Sequence, residues 1–266
     1  MDLQLSGKTA LVTGSTGGIG FAIAAALFRE GAHVTVNGRT QERVDAAVAR
    51  LQGMENGAGG QASGFAADLG SASGINALTG AHAAFDILVN NLGIFEPKPF
   101  AEITDDDWLR FFKVNVLSGI RLSRFYLPEM TAKQWGRIVF ISSESAVNIP
   151  TEMIHYGWTK TSQLALARGL AQTAAGTGVT VNSVLPGPTK SEGVGTFVEQ
   201  MAKDKGISVE DMEQDFFKHA RPSSLLKRFE TVEEIADVVA FVCSPLASAI
   251  TGAAWRADGG VVSSVV

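Results

Sequence analysis

The stretch TALVTGSTGGIG, residues 9–20, decides how the rest of the chain is read. Thr9 to Thr13 is a short apolar run rich in branched residues, the pattern of a buried strand. It passes into Gly14-Ser15-Thr16-Gly17-Gly18-Ile19-Gly20, a T-G-x-x-x-G-x-G turn. Beyond it, Ile19, Ile23, Ala26 and Leu27 fall on one helical face. A strand, a glycine turn and a helix N-terminus together make an anion site, because unpaired backbone N–H groups and the positive end of the helix dipole meet there. A pyrophosphate suits such a site, and glycine is needed because a Cβ would block the approach of backbone to phosphate.

Further apolar runs follow at His33–Asn37, Gly64–Ala67, Asp86–Asn90, Arg137–Ser142, Val179–Val184 and Ala253–Arg256. They alternate with helical stretches such as Val44, Ala47, Val48 and Leu51, so the pattern predicts βαβ units around one parallel sheet of seven strands covered on both faces. Thr104 with Asp107, and Thr231 with Glu234, have capping-box spacing and mark two helix starts. Gly53, Gly57, Gly59, Gly60 and Gly64 read as a solvated loop without function. With 266 residues and no repeat, long charge run or break in composition, the chain is expected to be one domain, residues 1–266.

Composition narrows the partners. The 29 glycines exceed the average share of about 7%, while 18% charged residues fall below the usual quarter, which fits a chain with much buried surface. A net charge of −5 argues against nucleic acid and acidic membrane surfaces as partners. The single cysteine, Cys243, lies in an apolar run and reads as a buried thiol. His33, His82, His155 and His219 are scattered without ligand spacing, so no metal site is expected. The opening residues hold no signal-peptide core. The longest apolar stretch, Phe21 to Phe28, is far below the ~18 residues of a membrane span, so a cytoplasmic location is expected.

An acid about 20 positions after a glycine turn would hold the ribose 2′-hydroxyl of NAD, and Gly38 stands there. The next residue, Arg39, has a fork suited to the 2′-phosphate of NADP, which favours NADP(H) and leaves NAD(H) as the alternative. One of the two tyrosines, Tyr156, stands four residues before Lys160, so the two share a helix face. Ser143 follows a strand, which puts its hydroxyl at the carboxyl edge of a parallel sheet, where ligands bind. A nearby ammonium lowers a phenol's pKa, so Tyr156 would act as acid in carbonyl reduction while Ser143 steadies the developing oxyanion. Lys160 would tune the phenol and hold the nicotinamide ribose.

Taken together these residues resemble the short-chain dehydrogenase/reductase family, in its compact branch without a separate substrate domain, over nearly the whole chain. The motifs run in order: Thr13 to Gly20, Asp68, Asn90-Asn91-Leu92-Gly93, Asn115, Ser143, Tyr156 with Lys160, and Pro186-Gly187. The resemblance implies an α/β, Rossmann-type doubly wound sheet of seven parallel strands with helices on both faces. It also implies hydride exchange between NAD(P) and a carbonyl or secondary alcohol, with NADPH-dependent reduction of a ketone or a 3-oxoacyl group preferred. Asp68 and the backbone of Leu69 would hold the adenine. Asn91 and Gly93 would line the cofactor cleft, and Asn115 would order a water linking Lys160 to solvent. The backbone of Thr189 and the side chain of Ser191 would take the nicotinamide carboxamide, and a homotetramer or homodimer would form through the helices carrying Asn115 and Tyr156.

The chain departs from the family pattern at three points: Leu92 replaces alanine and would shift the cleft wall or shape substrate binding, Gly17 stands where NADP-preferring relatives carry a basic residue, and Ser191 replaces threonine. Residues 190–226 lack a strand pattern and carry two stripes, Val194, Phe197, Val198, Met201 and then Met212, Phe216, Phe217. They read as a lid over the substrate, against the alternative of two helices that only pack on the core. Phe95, Glu144, Met153, Trp158 and Pro188 are the further pocket candidates, with Glu144 placed to accept a hydrogen bond from a hydroxylated substrate. The alternative function is a catalytically silent dinucleotide-binding sensor or scaffold.

Overall fold

The computed structural model describes residues 1–56 and 58–265. Gly57 of the glycine cluster, the side chain of Phe197 and the terminal Val266 lie outside the described residues. Seven parallel strands form one sheet in the order β3-β2-β1-β4-β5-β6-β7: β1 (Thr9–Val12), β2 (His33–Gly38), β3 (Gln61–Ala66), β4 (Ile87–Asn90), β5 (Gly136–Ile141), β6 (Val179–Pro186) and β7 (Ala254–Ala257). Alternate residues face opposite ways along a strand, so each apolar run feeds two cores. Ala10, Val12, Val139 and Ile141 join one, against helices α1 (Gly18–Arg29), α2 (Gln41–Gln52) and α9 (Val232–Cys243). Leu11, Ile138 and Phe140 join the other, against α3 (Ala72–Ala81), α5 (Ser118–Ala132) and α6 (Ile154–Thr173). Burying each large apolar side chain contributes about 1.5–3 kcal/mol, and this two-sided burial is what makes the strands read as unbroken apolar runs.

Both capping boxes are made. Thr104 Oγ1 accepts from the Asp107 N–H at the start of α4 (Asp105–Phe111) and Thr231 Oγ1 from the Glu234 N–H of α9, each at 3.2 Å. Between α4 and α5 the helix widens into a π turn, Phe112–Leu117. After β6 come α7 (Glu192–Lys205), α8 (Val209–Asp215) and a second π turn, Phe216–Ala220, packed together around Val198, Ala202, Met212, Phe217 and Phe229.

The glycine-rich stretch before β3 is not all loop. The strand begins at Gln61, three residues before the expected Gly64, because residues 61–66 pair in register with His33 to Gly38. Gly64 leaves the space that Val44 of α2 fills. Cys243 is buried, as its apolar run predicts, and burial pushes its thiol up to about 12. Among the described residues no helix is long and apolar enough to cross a membrane, and no group of His, Cys, Asp and Glu is arranged to hold a metal ion.

Candidate active site

The sheet order reverses at β1, which sends β2 to one side and β4 to the other, and at such a switch point the strand ends leave a crevice. Thr13 closes β1 over that crevice. Its Oγ1 accepts the N–H groups of Asn91 and Leu92, each at 2.9 Å, and so ties the start of the glycine turn to the loop after β4. Gly14 enters with φ +61, and the turn passes under Asn91, whose Nδ2 donates to the carbonyls of Thr13 at 2.9 Å and Gly14 at 3.1 Å. A Cβ on Gly20 would strike that same Asn91 amide and stand 2.6 Å from the Gly14 carbonyl, so only glycine lets the helix start this close to the strand. The cradle fits a pyrophosphate by the chemistry of its backbone donors at the N-terminus of α1. Ser15 contributes backbone only, because its hydroxyl donates to Val12 at 2.6 Å and accepts the Asn37 N–H at 3.0 Å inside the sheet.

At the end of β2 the structure explains the missing acid. A side chain at Gly38 would collide with the methyl of Thr16, so the place that an acid would take is occupied by the turn itself. Arg39 follows, exposed to solvent. Asp68, also exposed, holds the N–H of Gly70 at 3.0 Å. The Leu92 side chain packs against Gly14 and the core around α5 and does not itself line the cleft.

Ser143, Tyr156 and Lys160 line one cleft of about 540 Å³ with Asn91, Gly93, Thr189 and Ser191. Ser143 leaves β5, and its Oγ accepts the Ser145 N–H at 3.1 Å. Lys160 is 4% exposed, with Nζ donating to the Ile141 carbonyl at 2.8 Å and lying 5.5 Å from the centre of the Tyr156 ring. Burial brings its ammonium down to about 7. The Tyr156 phenol moves the other way from the expected lowering: burial pushes it up to about 12, outweighing a hydrogen bond from Ser143 that lowers it. Enclosure disfavours charge on both groups, so it raises the phenol and lowers the Lys160 ammonium together.

Asn115 sits in the π turn, not in a regular helix, and its amide is engaged: Oδ1 accepts the Ile94 N–H at 2.8 Å, and Nδ2 donates to the Ile94 carbonyl and Thr159 Oγ1, both at 3.0 Å. Gln163 Nε2 donates to its main-chain carbonyl at 2.6 Å. Ser191 caps α7, accepting the Val194 N–H at 3.4 Å, which leaves its own proton free to donate. Past the Pro186-Gly187 turn, buried Glu230 accepts the Gly187 N–H at 3.0 Å, and burial pushes its carboxyl up to about 7.

Of the other pocket candidates, Phe95, Glu144, Met153 and Pro188 line the cleft; Trp158 does not. Two positions after Tyr156 it lies on a different helix face, half exposed against Trp108 and Phe112. Asn37, Gln163, Arg221 and Glu230 are parts of the site that sequence spacing alone does not reveal. Each acts on a distant segment, as Asn37 does in accepting the Gly14 N–H at 3.2 Å.

A family model for short chain dehydrogenases matches residues 8–202. The chain is 51% identical over 265 residues to the uncharacterized oxidoreductase YvaG of Bacillus subtilis, covering 100% of both. In structure it is similar to L-sorbose reductase from Gluconobacter frateurii complexed with NADPH and L-sorbose, with a TM-score of 0.92, 29% identity and 100% of each chain covered. It is also similar to a 7 alpha-hydroxysteroid dehydrogenase complexed with NADH and 7-oxo glycochenodeoxycholic acid, with a TM-score of 0.84, 30% identity and 100% and 98% of the two chains covered. With the family model over most of its length, a Rossmann-type sheet and relatives matched end to end, the chain belongs to the short-chain dehydrogenase family, oxidoreductases that act on alcohol and carbonyl groups.

Proposed function

We propose that the chain reduces a ketone carbonyl with NADPH, 3-oxoacyl groups falling within the same class, and that Ser143, Tyr156 and Lys160 carry the proton chemistry. The observation behind the reading is the convergence of these three groups in a single cleft that opens onto the glycine turn. Bound NADPH supplies a hydride to the carbonyl carbon. The Tyr156 hydroxyl gives its proton to the carbonyl oxygen while the Ser143 hydroxyl donates a hydrogen bond to the charge growing there. A phenol held up to about 12 is protonated at neutral pH, as an acid must be before it acts. Lys160 then returns the proton: with its ammonium near 7 it gives up a proton readily, and the Asn115 main-chain carbonyl, which Gln163 occupies on one side only, offers its second lone pair to the water that refills it.

The glycine turn with Ser15 to Gly20 takes the pyrophosphate, Asp68 and the Leu69 backbone the adenine, and Thr189 and Ser191 the carboxamide. Arg39 supports NADPH over NADH by offering the 2′-phosphate a guanidinium. Relatives of this fold are complexed with either cofactor, NADPH in one case and NADH in another. Residues 190–226 act as a lid, since Val194, Val198 and Phe216 line the cleft from that segment while the rest of it packs on itself. Nicotinamide absorbance with a panel of ketones tests the activity, and Tyr156→Phe tests the mechanism. Reduction falls by roughly 100-fold or more while NADPH binding is retained; unchanged turnover removes Tyr156 from the reaction.

A further inference from the structure

One carboxylate oxygen in the cleft is left over. Glu144, the neighbour of Ser143, is 3% exposed. Its Oε1 accepts from Arg221 Nε at 2.8 Å, whereas Oε2 is shut away from solvent and receives no well-aligned hydrogen bond among the described residues; the Ser145 hydroxyl nearby lowers the carboxyl less than burial raises it. Arg221, directly after the π turn of the lid, is committed on one side only. Its Nη1 donates to the Ala220 carbonyl at 2.8 Å and stands 3.5 Å from Glu152, while Nη2 meets no acceptor among the described residues. A buried charged acceptor without a partner is costly, and natural structures leave few of them, so a group that arrives with a proton to donate is strongly favoured there. Glu144 directly follows Ser143 in the chain, and Glu144 and Arg221 line the same cleft as Ser143 and Tyr156, which puts the pair on the wall beside the proton-donating groups.

The chemistry of the missing group follows from the charges. It must donate to Glu144 Oε2 and accept from Arg221 Nη2. It must also be neutral, because this corner holds two carboxylates, Glu144 and Glu152, against one guanidinium already paired to both. A hydroxyl meets all three conditions; a carboxylate or phosphate meets only the second. We infer that Glu144 and Arg221 form a subsite for a hydroxyl on the carbon next to the reacting carbonyl, so that the preferred substrates are hydroxyketones over plain ketones and oxo acids. This rests on the carbonyl-reductase reading above. It also gives the lid a second role, since Arg221 brings half of the subsite from the segment that covers the cleft.

Three ketones of equal chain length isolate the subsite: butan-2-one, 1-hydroxybutan-2-one and 2-oxobutanoate. They differ only in whether a methyl, a hydroxymethyl or a carboxylate flanks the carbonyl. Each is assayed with NADPH and with NADH. The wild type should favour the hydroxyketone over butan-2-one by about ten-fold or more in kcat/KM, because a site built for a hydroxyl rejects the analogue without one, and should rank 2-oxobutanoate last. Glu144→Gln and Arg221→Met should each bring the hydroxyketone-to-ketone ratio toward one, with folding checked by the thermal midpoint. In the Tyr156→Phe protein loaded with NADP, calorimetric titration should give binding of 1-hydroxybutan-2-one that weakens about ten-fold when Glu144→Gln is added.

A wild type that prefers butan-2-one or 2-oxobutanoate overturns the proposal even if neither variant folds. Turnover with a ratio that the substitutions do not move overturns it as well, and leaves the reductase reading standing. No turnover of any of the three with either cofactor brings down the reductase reading and this proposal with it.

Discussion

Glu230 lies under the Pro186-Gly187 turn with one oxygen bonded to Gly187 and the other, Oε1, buried without a partner among the described residues. Burial lifts this carboxyl from 4.5 to about 7, so between those values the unfolded chain loses its proton first. Stability from this group is therefore full below about pH 4.5 and declines as pH rises through 7. Glu230→Gln has no proton to lose and should gain on the wild type between about pH 5 and pH 8 by on the order of 2 kcal/mol, read as a widening gap in thermal midpoint. A gap that stays constant with pH would show that Glu230 does not carry this cost. At the other end of the cleft, Arg39→Ala should weaken NADPH binding about ten-fold or more and leave NADH nearly unchanged, since only NADPH brings a phosphate for the guanidinium to hold. Equal losses for both would end that role. These residues differ in how they declare themselves. Tyr156 and Lys160 are one helical turn apart, and Ser143 follows a readable strand, so local spacing finds them. Glu230 and Gly187 are 43 residues apart and Arg221 and Glu144 are 77, and no local pattern ties such pairs together.

At the scale of elements, α7 starts where the cofactor reading needs an anion to enter. Ser191 caps it against Gly18, and the Glu192 carboxylate reaches within 3.1 Å of the point where a Cβ on Gly17 would be. Two like charges about 4 Å apart cost roughly 1 kcal/mol in water, so Glu192→Gln should tighten NADPH binding several-fold at low ionic strength. The gain should shrink as salt is added, because exposed charges are screened. A gain that salt leaves untouched would point to a packing change. Elements were read from the sequence with unequal success for a physical reason. The strand cores and both capping boxes follow from residues within four positions of one another. The start of β3 and the two π turns do not, because ladder pairing with β2 and packing against neighbouring helices decide them.

For the molecule as a whole, several large apolar side chains on the helices stay exposed. Leu109 on α4, Phe125 on α5 and Trp158 on α6 are 51%, 43% and 43% exposed, a cost that a second copy of the chain would remove. If Phe125 is a contact between copies, the wild type should read above the monomer mass in light scattering and Phe125→Glu should bring it down while leaving the fold intact by circular dichroism; a wild type at the monomer mass, or a mass that the substitution does not change, removes Phe125 from any such contact. The topology also sets an order in time. The glycine turn is held by Asn91, 77 and 78 residues downstream, and β6 finds its outer neighbour β7 only at Ala254–Ala257. A chain emerging from the ribosome therefore completes its phosphate cradle once β4 and the loop after it have left the exit tunnel. The nicotinamide end waits for Glu230 to brace Gly187. Dinucleotide captured during synthesis would meet a half-built cleft, with the grip at its phosphates formed long before the grip at its reactive ring.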